Sequence, residues 1–138
     1  MNKMLKGLAV AALSLSSTLV LASPTYLVTH NHTDVQSNAY VAGVVPSPVP
    51  TNPCSEGKVH WALVRMSCYS QMINGRCPAV IKMATNTAAP IILGMVSMDV
   101  ETGDILPKQI SANGYTFTVN GPGEGTLTQS FPGQCPLH

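Results

Sequence analysis

His30, His32 and Asp34 come nearest to a metal site in this chain. In an extended strand, side chains two residues apart share a face. Two imidazoles and a carboxylate would then project together, a donor set that suits Zn²⁺ or Cu²⁺. The plainer reading of the same spacing is a polar, solvated segment near a free N-terminus. Asn31-His32-Thr33 within it is an Asn-x-Thr glycosylation acceptor pattern, relevant only in a eukaryotic secretory pathway.

Cys54, Cys68, Cys77 and Cys135 are the four cysteines. They contain no Cys-x-x-Cys, and their spacings match no zinc module. An even number in an exported chain reads as two disulfides, with three possible pairings. The pairing expected is Cys68 with Cys77, bracing a hairpin around Asn74-Gly75, and Cys54 with Cys135, tying the compact region to the C-terminus. A redox or thiol-nucleophile role would need a cysteine that escapes these bonds.

Other constellations carry less. Asp99, Glu101 and Asp104 surround Gly103 like half of a calcium loop, but the glycine stands where a third oxygen ligand belongs. Ile110 occupies the place of the twelfth-position Glu, so a turn with polar ends is the expectation. No Gly-x-Ser-x-Gly elbow is present. His60 and His138 are isolated in sequence, and no catalytic set is assigned. Met66, Met72, Met83, Met95 and Met98 lie in apolar runs without a Met-x-Met, so core filling is expected over copper binding. No cofactor is implied.

The elements that must position these residues begin with an export signal. Lys3 and Lys6 precede an uncharged stretch from Gly7 to Leu21, and Val20-Leu21-Ala22 fits a signal-peptidase site. Residues 1–22 are expected to be a signal peptide, with Ser23 starting the mature chain. The stretch is short and Ser-diluted for a membrane span, and no second apolar run of that length follows. Of 7 basic and 6 acidic residues, the signal takes 2 basic ones. The remainder is nearly neutral and its cations are scattered, which offers no grip on nucleic acid or an anionic membrane. Charged residues make up 9% of the chain, against about 25% in a typical domain. So weakly charged a surface is poorly protected against self-association.

Residues 23–53 read as an extended arm and Pro-rich linker, because Pro46, Pro48, Pro50 and Pro53 favour polyproline II and exclude helix. Residues 54–138 read as the disulfide-bonded domain. Val59–Tyr69 fits a strand, with a helix as the alternative. Pro78–Thr85, a fully buried Pro90–Val100, a short Ile105–Leu106, an alternating Tyr115–Val119 and a closing Thr126–Phe131 complete the pattern. Gly103, Asn113-Gly114 and Gly121–Gly125 supply turns. The expectation is a mainly β protein: a small antiparallel β-sandwich or barrel-like domain stapled by two disulfides.

Three functions compete. One is an exported, non-catalytic binding or structural protein of the periplasm, cell envelope or medium, whose partner is another protein or an envelope component. The second is a small secreted hydrolase or enzyme inhibitor, with the stretch between Cys68 and Cys77 as its rigid loop. The third is periplasmic metal handling through His30, His32 and Asp34. The absence of a catalytic motif favours the first.

Overall fold

A computed structural model describes residues 23–133 and Cys135. The expected signal peptide lies outside the described residues, as does His138. Ten strands and one helix follow in order: β1 (Tyr26–Asn31), β2 (Ser37–Val41), β3 (Val45–Pro46), β4 (Ser55–His60), α1 (Trp61–Cys68), β5 (Arg76–Met83), β6 (Ile91–Asp99), β7 (Ile105–Leu106), β8 (Gln109–Ala112), β9 (Tyr115–Gly121) and β10 (Glu124–Gln129). They form two five-stranded sheets, β4-β1-β10-β9-β8 and β3-β2-β5-β6-β7. Pairing is antiparallel except between β1 and β10, which run parallel with His30 opposite Thr126.

The arm expected at residues 23–53 is instead part of both sheets. β1 lies between β4 and β10, and β2 lies between β3 and β5. Leu27 and Val41 pack into or against the core. β2 pairs with the adjacent β3, while β1 and β2 also pair with β10 and β5, which are distant in sequence. The Pro-rich segment is also held: Thr51 exchanges backbone hydrogen bonds with Ser37 at 2.8 and 2.9 Å.

Val59–Tyr69 divides between strand and helix. Trp61, Val64 and Cys68 are its buried residues, at the spacing of one helical face. That period overrides the strand reading from Trp61 onward. In β5, Pro78 lies one residue beyond the last β2 pair, Val41 with Ala79. There its missing N–H costs no β2 bond, and its carbonyl accepts from the Ala42 N–H at 2.8 Å. β6 is not buried on both faces as expected. Leu93, Val96 and Met98 point inward, while Ile92 and Met95 are exposed.

The two Asn-Gly turns have the expected backbone. Asn74 and Gly75 have φ of 52° and 78°, and Asn113 and Gly114 have 55° and 87°. Positive φ at both central residues is the mark of the tight hairpin turn that matches strand twist. Gly125 has a packing reason: a Cβ there would collide with the Phe117 ring.

Both disulfides join the expected partners, Cys68 with Cys77 and Cys54 with Cys135. Cys68 ends a helix, so its bond staples α1 to β5 rather than bracing a two-stranded hairpin. The Asn74-Gly75 turn pairs Ile73 with Arg76, and Cys68 lies outside that ladder. The core joins both sheets through Ile81, Met83, Val96, Phe117 and Leu127. β6 lies against β8 and β9, and the helix covers β4 and β1.

Candidate functional site

His30 stands on the outer face of the first sheet. Leu27 and Thr29 point toward the interior, so alternation puts Tyr26, Val28 and His30 outside. Register then sets Tyr26 opposite His60, Val28 opposite Lys58 and His30 opposite Glu56. The rings of Tyr26 and His60 lie 4.7 Å apart, with the Lys58 ammonium 5.7 Å from the Tyr26 ring centre. His30 Nε2 is 2.6 Å from a Glu124 carboxylate oxygen, and Nδ1 is 3.3 Å from a Glu56 oxygen. The two carboxylates approach opposite ring nitrogens, so they do not converge on one point with the imidazole.

His32 and Asp34 do not join His30. β1 ends at Asn31, and the chain bends where the strand reading continued it. His32 and Asp34 are both exposed. The Asp34 N–H donates to Gln129 Oε1 at 2.9 Å. Among the described residues, no group of three or more His, Cys, Asp or Glu is placed to hold a metal ion.

Asn31 between them is a structural residue that pattern reading missed. It has no exposure. Its Nδ2 donates to the carbonyls of Val35, Asn52 and Thr51 at 2.8, 3.1 and 3.3 Å. A glycan on that nitrogen is incompatible with this fold. The only sequence signal was that Thr33, two residues on, could bond back to it.

The acidic residues near Gly103 organise a turn and its ion pairs. Asp99 Oδ1 accepts the N–H groups of Glu101 and Thr102 at 2.8 and 3.2 Å. Glu101 faces Arg65 at 3.6 Å. Asp104 takes Lys108 at 2.6 Å and Arg76 at 3.6 Å. The Lys108 hydrogen bond holds the Asp104 carboxyl below its usual 3.8; desolvation opposes this, and the charges of Lys108 and Arg76 reinforce it. The His60 ring lies against the Tyr26 ring at an angle of 41°.

A second feature lies on α1 and the loop after it. Leu63, Met66, Tyr69 and Ile73 are all exposed, Met66 at 72%, Tyr69 at 85% and Ile73 at 62%. Residues 63, 66 and 69 recur every three positions and so share one side of the helix and its end. Core filling holds for Met83 and Met98, which are buried, but not for Met66 or Met95. The Cys68–Cys77 bond holds the base of this segment.

This fold has a counterpart in a known family. The family model for the type II secretion system (T2SS) substrate NttC matches residues 1–130. The chain belongs to the NttC family of T2SS substrates. It is similar to the crystal structure of the Legionella pneumophila T2SS substrate NttC, with 56% identity and a TM-score of 0.76, over 78% of this chain and 99% of that chain. No curated protein matches it. Membership of the NttC family makes this an exported, secreted protein. Among the described residues, no helix is long and apolar enough to cross a membrane.

Proposed function

We propose that the chain acts outside the cytoplasm as a non-catalytic binding protein, and that α1 with the following loop is where a protein or envelope component docks. The carrying observation is the run of four exposed apolar side chains, Leu63, Met66, Tyr69 and Ile73, on a disulfide-braced element. Exposing such a cluster to water is unfavourable, and contiguous exposed apolar patches mark interaction sites. Tyrosine is a frequent anchor in interfaces. A braced segment loses little conformational entropy on binding, which leaves more of the contact energy as affinity.

The chemistry around the histidines supports a binding role over hydrolysis. His30 is engaged by two carboxylates and His60 by an aromatic ring. All four cysteines are in disulfides, so the chain presents no thiolate.

The test uses the mature secreted protein and a Met66→Ser/Tyr69→Ser/Ile73→Ser variant. Binding to purified envelope of the producing cells, and self-association by sedimentation, are measured for both. The variant is expected to lose at least tenfold in one of these measurements while keeping its thermal midpoint within a few degrees. Equal binding and equal self-association by the two proteins would refute the assignment.

A further inference from the structure

The interior holds a cavity of about 110 Å³ between the two sheets. Leu27, Val59, Ile81, Val96, Phe117 and Leu127 are among its walls, contributed by strands of both sheets. Protein interiors rarely contain voids much larger than a water molecule. A comparable apolar cavity of about 150 Å³ stays dry and admits benzene. This one is mostly apolar in its walls, with Thr29, Ser37, Asn38, Ser47, Thr51 and Ser67 as the polar residues among them.

The cavity also reaches solvent. Pro48 and Val49 line it and are exposed, and Ser47 and Ser67 line it and are half-buried. Its opening therefore lies between the Pro-rich segment and the last turn of α1. Asn38 Nδ2 donates to the Ser47 carbonyl at 3.1 Å, which fixes one side of the opening. Among the described residues, no Asp, Glu, Lys, Arg or His lines the space.

From this geometry we propose a ligand site for a small neutral amphiphile. A short alkyl or single-ring aromatic group occupies the cavity, and an uncharged head such as a hydroxyl or amide stays at the opening by Ser47 and Ser67. The apolar walls select the tail, and the volume limits it to about the size of one ring. The uncharged lining leaves an ionic head without a counter-charge, and its partial desolvation is unfavourable. This site is separate from the exposed ridge: α1 gives Val64, Ser67 and Cys68 to the cavity and keeps Leu63 and Met66 outside.

The experiment is a methyl chemical-shift titration of the oxidised mature protein with linear alcohols from butan-1-ol to octan-1-ol. Hexanoate and hexylamine provide the charged comparison. The methyl groups of Ile81, Val96 and Leu127 should shift saturably. Affinity should rise about fourfold per added methylene, from about 0.8 kcal/mol per buried CH₂, until the cavity is full. Both charged analogues should bind at least tenfold more weakly than hexan-1-ol. Ala79→Leu, which fills the space, should abolish saturation. Ser47→Trp, which blocks the opening without entering the core, provides the second variant. Linear, non-saturating shifts in the native protein would overturn the site. So would saturation unchanged in a folded Ser47→Trp protein.

Discussion

Thr33 gives both its backbone N–H and its hydroxyl to the side-chain oxygen of Asn31, at 3.0 and 2.7 Å. The other end of the same amide reaches the carbonyls of Val35, Thr51 and Asn52. One buried side chain thereby ties the end of β1 to the Pro-rich segment. An Ala at position 31 would strand several buried polar groups, each costing about 1–3 kcal/mol. Asn31→Ala is expected to lower stability by about 3 kcal/mol or more in urea unfolding. A loss under about 1 kcal/mol would mean that water replaces the amide freely.

The two disulfides should contribute unequally. Cys54–Cys135 spans 81 residues and Cys68–Cys77 spans 9. Loop-closure entropy then assigns about 4.5 kcal/mol to the first and about 2.6 kcal/mol to the second. Cys54→Ser/Cys135→Ser should therefore unfold at lower denaturant than Cys68→Ala/Cys77→Ala. The reverse order would show that the packing of Cys68 and Cys77, each 2% exposed, outweighs chain entropy.

The features legible in the sequence were those decided locally. Asn-Gly dipeptides specified tight turns, Tyr115 and Phe117 alternated onto the core face, and an even cysteine count in an exported chain became two bonds. Long-range pairing was not legible. Extended residues 23–53 carry no local mark of where they pair, and β1 finds β10 almost a hundred residues later. The assumption that the strand continued past Asn31 aligned His30, His32 and Asp34 on a face that the bend removes. The ridge was hidden for a related reason. Met66 and Tyr69 have the composition of core residues, and only the helical phase of Trp61, Val64 and Cys68 turns them outward.

Metal binding at the N-terminal histidines is expected to be weak. His30 is already engaged by Glu56 and Glu124, and it is not clustered with His32 and Asp34. Calorimetry with Zn²⁺ and Cu²⁺ on the oxidised protein should detect no site tighter than about millimolar, given a donor set short of three converging ligands. Micromolar binding lost in His30→Ala would restore a metal role.

Acid should act partly through Asp104. Its folded-state pKa is lowered, first by the Lys108 hydrogen bond, so the native state binds its proton less readily than the unfolded chain. The resulting stability is present above about pH 4, the ordinary Asp range, and is lost as pH falls through the folded value. The Asp104 side chain is 45% exposed, so the contribution is modest and screened by salt. Urea midpoints at pH 7 and pH 2.5 should differ less in Asp104→Asn than in the native protein. Tyr115 acts at the other extreme. Burial, then the Asp34 charge, raises its pKa, so its contribution is intact below about pH 10 and lost as pH rises further.

Trp61 provides a probe of how the helix is anchored. It is the sole tryptophan and is 5% exposed. Its indole N–H donates to the Val100 carbonyl at 2.9 Å, across to the turn after β6. Trp61→Phe keeps a ring in the core but removes that donor and leaves a cavity. The lost hydrogen bond is worth about 1 kcal/mol and the stranded carbonyl adds to it, while the missing volume costs about 24 cal/mol per Å³. A total near 2–4 kcal/mol is expected, read by circular dichroism because the fluorophore is gone. The native protein should emit at short wavelength and shift red in one step with urea, together with the far-ultraviolet signal. Two separated transitions would mean that α1 detaches from the sheets before they unfold. The ridge it carries would then be mobile, and the rigidity on which its binding role depends would fail.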